Sequence, residues 1–163
     1  MDIKKYASLA FFNGLSAEDL DALAPYFTSM RFVAGTTIFE QGERAESVYL
    51  VASGEVVIRY KPMDGPPMTV THVQPGGIFG WSAAMGNQAY TSAAICSLDS
   101  EVLCIKGETL RNLCEKNPQV GSVLLERLSL VVAERQRHRQ GNVSSILANG
   151  MRQASCSGET GEN

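Results

Sequence analysis

The spacing of hydrophobic and polar positions changes twice along the chain. Residues 6–27 carry apolar side chains at helical intervals, and Ser16 stands where an N-cap would precede acidic residues in a first turn. A break at Asn13-Gly14 divides this segment into two short predicted helices. From residue 30 the period becomes two, which is typical of strands, and after residue 105 the helical period returns.

Short strands are predicted throughout residues 30–105. Glycines punctuate them and allow the sharp corners that connect antiparallel strands. About eight strands at this spacing are typical of a double-stranded β-helix (jelly roll), so the predicted fold is mainly β with flanking helices. The predicted strands are Met30–Val33, Thr36–Glu40, Ser47–Ala52, Glu55–Tyr60, Met68–Val73, Ser92–Cys96 and Glu101–Ile105.

Two helices are predicted in residues 107–139, and the second begins near Pro118 and runs for about twenty residues. Its apolar stripe either packs on the β-roll or pairs with a second copy of the chain. Residues 140–163 are rich in Ser, Gly and Asn, and a mostly disordered tail is predicted there. Residues 1–139 are therefore predicted to form one domain. The stripe of the long helix includes Leu124, Leu128, Val131 and Val132.

Composition argues against several classes of function. The 163 residues carry a net charge of −3, whereas general nucleic-acid binding needs a dense basic face. The four cysteines lack metal-ligand spacing, and His72 and His138 are too few for a metal cluster, so neither a metal site nor catalysis is expected. No apolar run reaches the roughly 18 residues that span a bilayer. The cysteine usage fits a reducing cytoplasm.

Four segments carry a resemblance to a known family. Residues 12–24, 32–42, 47–56 and 75–80 read F-x-x-L-S-x-x-D-L-x-x-L-A, F-x-x-G-x-x-I-F-x-Q-G, S-V-Y-L-V-x-S-G-E-V and P-G-G-I-F-G. In this order and spacing they resemble the cyclic-nucleotide-binding domain of the CRP/FNR superfamily. The resemblance implies an eight-stranded roll and a short helix that caps a phosphate. It also implies a long C-terminal helix that forms dimers and contacts the base.

Two positions depart from the family's pattern for binding a ligand. F-G-W-S stands in place of the usual F-G-E, a variant that resembles stand-alone members of the family. The resemblance places a ribose-binding carboxylate at Trp81 and a phosphate-binding arginine at Tyr90. Losing a charge-assisted hydrogen bond costs about 1.5–3 kcal/mol, so cAMP or cGMP is expected to bind only weakly. The two aromatic residues either fill the pocket or adapt it to another small anionic ligand.

Other candidate ligand-binding residues surround these two positions. Ser82 is placed to cap a short helix at 81–85, and the amides of residues 82–84 are expected to be free for an anion. Three consecutive hydroxyls begin at Tyr90, and Arg135 lies where the family contacts the base. The full set of candidates is Phe79, Gly80, Trp81, Ser82, Ala83, Ala84, Tyr90, Thr91, Ser92 and Arg135.

Two functions are predicted as alternatives. The first is a cytoplasmic regulatory module that senses a small ligand in a non-standard pocket, forms a homodimer and signals through its long helix, with a protein effector as a further partner. The second is a ligand-free interaction scaffold whose pocket Trp81 and Tyr90 fill. Neither is expected to bind DNA by itself, because the 23 or so residues after Gln140 are too few for a helix-turn-helix domain.

Overall fold

A computed structural model describes residues 1–130 and residue 133 of the chain. Met1–Leu128 form one compact unit, which contains the strands found in the described residues and the candidate site residues from Phe79 to Ser92. The predicted positions Val131, Val132 and Arg135 and the predicted tail at 140–163 lie outside the described residues.

The N-terminal segment contains 3₁₀ turns and one short α-helix, so the prediction of two helices was right for the second only. Leu9 and Asn13 both adopt extended backbone conformations, and Gly14 has a φ of 89°, so no continuous helix can form before Ser16. The predicted N-cap is confirmed, because Ser16 and Asp19 form a reciprocal capping box. The elements are 3₁₀ turns at Ile3–Tyr6, Ala10–Phe12 and Ala24–Tyr26 and helix α1 at Ala17–Leu23.

In the part of the chain that the structure describes, eight strands form two antiparallel sheets, which confirms the predicted jelly-roll architecture. Every predicted strand is present, and the additional short strand β6 follows the Gly76-Gly77 turn. One sheet has the order β1-β8-β3-β6 and the other β2-β7-β4-β5. The strands are β1 Thr28–Phe32, β2 Thr37–Phe39, β3 Ser47–Ser53, β4 Val56–Tyr60, β5 Met68–Val73, β6 Ile78–Phe79, β7 Ala93–Cys96 and β8 Ser100–Lys106.

The two faces of the first sheet have different neighbours. Tyr49 on β3 lies between Cys104 of β8 and Phe79 of β6, and its ring stacks on that of Phe79. Because side chains alternate along a strand, Val48 and Leu50 point to the opposite face. There they line a small apolar cavity together with residues of the helical segments. Other residues around this cavity include Phe11, Phe27, Ile78, Ile105, Leu110 and Leu128.

Two helices follow β8: α2 at Gly107–Lys116, and α3, described over residues 118–130. Leu124 and Leu128 on α3 are only 0% and 8% exposed within the single chain. These two side chains therefore pack within their own chain, as one of the two predicted alternatives has it, and the assignment of the helix to a dimer stays a prediction. Over the described residues, no helix has the length and apolarity to cross a membrane.

Candidate functional site

The chain leaves β6 through a glycine that no other residue could replace without strain. Gly80 has a φ of 72°, and a Cβ there would lie 3.0 Å from the Ser47 carbonyl oxygen and 3.0 Å from the Tyr49 ring. The chain therefore passes directly over β3. This contact places the segment that follows, residues 81–86, beside the interior face of the roll.

Residues 81–86 form consecutive turns instead of the predicted helix at 81–85. The Ala83 amide donates to the Gly80 carbonyl at 3.2 Å, and the Ala84 amide donates to the Trp81 carbonyl at 3.0 Å. Two of the three amides that were expected to be free for an anion are thus engaged within the segment. A ready-made helix N-terminus for a phosphate is not formed here. We call residues 81–86 the pocket turn.

The side chains of the pocket turn differ in exposure. Ser82 and Ala83 are buried, whereas Trp81 and Ala84 are half-buried. Among the described residues, the close ring contacts of the site involve other aromatic residues and not Trp81. The scaffold alternative predicts that Trp81 and Tyr90 both fill the pocket. These ring contacts give no support to that prediction for Trp81.

Tyr90 is held firmly in the core, at the position where the resemblance places an arginine. Its ring stacks on Phe39 with centroids 3.7 Å apart and planes 15° apart. Its hydroxyl donates to the Ser47 carbonyl at 2.8 Å and accepts from the Ser47 amide at 3.1 Å. The side chain is 4% exposed. Tyr90 thus satisfies both main-chain polar groups of Ser47, at the first residue of β3.

The backbone around Tyr90 is fixed by a short antiparallel ladder with the β2–β3 loop. The Gly42 amide donates to the Tyr90 carbonyl at 2.9 Å, and the Tyr90 amide donates to the Glu43 carbonyl at 2.9 Å. Arg44 and Ala89 form a further bridge. Thr91, by contrast, is exposed and Ser92 half-buried, so the three predicted hydroxyls do not share one environment.

Four aromatic rings form one cluster inside the roll. Phe39 lies 5.7 Å from Tyr49 and 6.0 Å from Phe79, in addition to its stack with Tyr90. The Tyr49 and Phe79 centroids are 5.1 Å apart. Of these residues only Phe79 and Tyr90 were predicted site positions. Phe39 and Tyr49 were missed because their strands carry no polar signal, although cross-strand pairing of Tyr49 with Phe79 could have suggested one of them.

Burial changes the acid–base behaviour of the two tyrosines. Loss of hydration raises the pKa of Tyr90 above its ordinary value of 10.0. Burial also raises the pKa of Tyr49, and the neighbouring Tyr90 adds to this shift. Both phenols are therefore neutral near pH 7, so they can offer hydrogen bonds to a ligand but no compensating positive charge.

Cations near the site are engaged with protein groups. Lys106 contacts Glu46 at 2.9 Å, and the Glu46 carboxylate also lies 3.6 Å from Arg44. Hydrogen bonding to Lys106 lowers the pKa of Glu46, so this carboxyl stays ionised near neutral pH. Arg111 of α2 donates to the carbonyls of the pocket turn, a contact that the sequence did not reveal. The two hydrogen bonds between the Tyr90 hydroxyl and Ser47 involve main-chain groups and no charged side chain.

Residues 29–117 match the family described as the cyclic nucleotide-binding domain, and this match covers more than half of the chain. The chain belongs to this family. Its two-sheet roll and flanking helices are thus those of a regulatory domain of the cyclic-nucleotide-binding type.

Two relatives match this chain over only part of their own length. The chain is 29% identical over 126 residues to the cyclic AMP receptor protein of Thermus thermophilus, covering 77% of this chain and 56% of the relative. It is 30% identical over 91 residues to the acetyltransferase Pat of Mycolicibacterium smegmatis, covering 56% of this chain and 27% of that protein. The chain thus spans a little over half of the receptor and about a quarter of the acetyltransferase.

A solved structure covers a larger share of both chains. The crystal structure of a protein from Geobacter metallireducens, described as a cyclic nucleotide-binding protein, has a TM-score of 0.72 and 29% sequence identity. The similarity covers 83% of this chain and 98% of that chain. The architecture of this cyclic nucleotide-binding domain therefore also occurs in a protein chain of similar extent.

Proposed function

We propose that this domain is a regulatory, ligand-sensing module whose pocket is non-standard. The observation that carries the proposal is the environment of Tyr90. A domain of this family is retained, but a neutral phenol bonded to Ser47 occupies the position of the phosphate-binding arginine. The pocket then takes a cyclic nucleotide such as cAMP or cGMP weakly, or a different small anionic ligand.

The weak binding follows from the chemistry of the replaced groups. An arginine pairs with a phosphate through two charge-assisted hydrogen bonds, which a neutral hydroxyl cannot reproduce. The Tyr90 hydroxyl must also leave Ser47 before it can serve a ligand fully. Losing both the arginine and the carboxylate costs about 1.5–3 kcal/mol for each group, or roughly ten- to a hundredfold in affinity per group.

The signal is proposed to leave the domain through its C-terminal helices. A ligand that changes the pocket turn would shift α2 and then α3, altering the surface seen by a protein effector or a second copy. The ligand-binding residues in this proposal are the predicted set from Phe79 to Ser92, with Arg135 as an expectation outside the described residues. We further propose a cytoplasmic homodimer with no catalytic activity and no DNA binding of its own.

A thermal-shift screen tests the sensing function. The protein is heated with cyclic mononucleotides and dinucleotides, ordinary nucleotides and small anions. A ligand at a hundred times its dissociation constant stabilises the folded state by about 2.7 kcal/mol, which raises Tm by several degrees. A selective shift with one ligand class supports the sensor. No shift with any compound, for a folded protein, argues against it.

A ligand-free scaffold is the second candidate, and the stacking of Tyr90 on Phe39 at 3.7 Å favours it. In this case Tyr90 permanently fills the phosphate position, and the function lies in dimer or partner binding. The two candidates differ in one observable. A sensor changes amide exchange in the pocket turn when its ligand binds, whereas a scaffold keeps the same exchange pattern with every compound tested.

A further inference from the structure

Arg111 of helix α2 contacts the pocket turn along its second half. Its guanidinium Nη1 donates to the Ala83 carbonyl at 2.6 Å and lies 3.5 Å from the Ala84 carbonyl. A Cβ built on Gly86 would lie 3.9 Å from the same nitrogen. One cation therefore reaches three of the six residues of the turn. Charge-assisted hydrogen bonds of this kind are stronger than those between neutral groups.

The start of α2 touches the same turn so closely that only glycine fits. A Cβ on Gly107 would lie 2.2 Å from the Ala83 carbonyl oxygen and 2.6 Å from its carbonyl carbon. The Gly107 amide in turn donates to the Glu46 carbonyl at 2.9 Å. Ala83 thus meets α2 twice, once at Gly107 and once at Arg111, one helical turn further along.

We propose that Arg111 is the positioning residue of the pocket turn. The turn has no regular helix to stiffen it, and its own hydrogen bonds are short-range ones between residues 80 and 87. The Arg111 guanidinium holds the carbonyl groups of Ala83 and Ala84 in place. It thereby sets the positions of Trp81 and Ser82 relative to a bound ligand. This inference rests on the proposed function in one respect, namely that the pocket turn is part of the ligand site.

The same contacts connect the turn with α3. On α2, Cys114 lies against Gly121 of α3, where a Cβ would come within 2.5 Å of the Cys114 Cα. Glycine thus permits close backbone contact at both ends of α2, and Arg111 lies between them. A displacement of the turn is carried to α3 as a movement of α2, because backbones in such contact cannot slide past each other freely.

The test uses Trp81, the single tryptophan of the chain, as a reporter within the turn. Arg111→Met is compared with the wild type, without ligand, by iodide quenching of tryptophan fluorescence and by amide exchange. We expect exchange at Ala84 and Met85 to become about tenfold faster and the quenching constant to rise about twofold. We expect Arg111→Lys, which keeps one charged donor, to restore part of the protection.

Arg31→Met is the matched control, because Arg31 lies on β1 and its guanidinium is 3.7 Å from the Glu101 carboxylate, in a different contact. Amides of β3 and β8 report on global opening in every variant. Unchanged quenching and turn exchange in Arg111→Met would overturn the proposal, as would equal changes in Arg31→Met. Since no ligand is used, these results are independent of the thermal-shift screen, which can fail while Arg111 still positions the turn.

Discussion

Tyr90 is the residue on which the proposal of a non-standard pocket depends. The sequence placed the family's phosphate-binding arginine at this position only through the resemblance, and that assignment stays a prediction. The sequence could not show that the phenol bonds to both main-chain groups of Ser47, which lie 43 residues away in the chain. Such a contact depends on the closed roll and has no local sequence pattern.

Replacing Tyr90 by Phe tests these hydrogen bonds directly. The ring remains to stack on Phe39, but the buried amide and carbonyl of Ser47 lose their partner. We expect the free energy of unfolding to fall by about 1–3 kcal/mol, measured by urea denaturation. Tyr60→Phe is the control, because Tyr60 is 40% exposed. Equal effects of the two substitutions would show that the Ser47 contacts contribute nothing to stability.

Ionisation of the two buried phenols gives a second test. Because burial raises their pKa values in the folded state, the unfolded chain releases these protons first as the pH increases. Stability from these groups is complete below pH of about 10 and falls above it. An absorbance titration at alkaline pH should show that the phenols of Tyr49 and Tyr90 ionise above the ordinary tyrosine pKa of 10.0. Ionisation of these two phenols at the ordinary pKa, while the protein stays folded, would contradict this expectation.

The helical elements show where sequence patterns fall short. Ser16 was recognised as a cap because its partner Asp19 is only three residues away. The first predicted helix proved to be separate 3₁₀ turns, and the helix at 81–85 proved to be a set of turns. In the first case the apolar spacing is real, but extended backbone at Leu9 and Asn13 prevents a regular helix. The helix at 81–85 was implied by the family resemblance and not by apolar spacing.

The junction of α2 and α3 leads to a prediction about Gly121. In an isolated helix, Gly→Ala would stabilise by up to about 1 kcal/mol. Here the new Cβ would meet the Cys114 Cα at 2.5 Å, so we expect Gly121→Ala to destabilise the protein by about 1–3 kcal/mol. Thermal unfolding measures the effect, and Ser122→Ala on the exposed side of the same helix is the control. A stabilised Gly121→Ala variant would show that the two helices are not in close contact.

Glu101 connects the N-terminal segment to the roll and makes part of the stability depend on pH. Its carboxylate accepts from Tyr6 at 2.8 Å and from Ser29 at 2.9 Å. The hydrogen bond from Tyr6 is the main cause that lowers the pKa of Glu101, outweighing its partial burial. The stabilisation is therefore present above the ordinary carboxyl pKa and is lost as the pH falls through the lowered value.

The substitution Glu101→Gln should accordingly reduce Tm by a few degrees at pH 7 and by less at pH 3, because the wild-type carboxylate takes up protons as the pH falls towards its lowered pKa. Differential scanning calorimetry at the two pH values gives the comparison, with Glu115→Gln on the exposed side of α2 as control. A Tm difference that is the same at both pH values would mean that the charge of Glu101 does not matter.

The molecule as a whole has the roll of its family, and we propose that its pocket lacks the family's ionic contacts. The fold could be predicted from the sequence because glycine spacing and strand periodicity are local and redundant. The internal contacts of the site could not, because Phe39, Ser47 and Tyr90 meet only after both sheets have closed. Two claims therefore remain separate: that the pocket has the family's shape, and that it lacks the family's charges.

Isothermal titration of cAMP into the wild type and into the double variant Trp81→Glu/Tyr90→Arg tests both claims together. The variant restores a carboxylate and an arginine at the two positions, so we expect it to bind at least about tenfold more tightly than the wild type. Circular dichroism verifies that the variant is folded. Equally weak binding by both folded proteins would contradict the account, because the pocket itself would then be closed; so would tight binding by the wild type, because its missing charges would then not limit affinity.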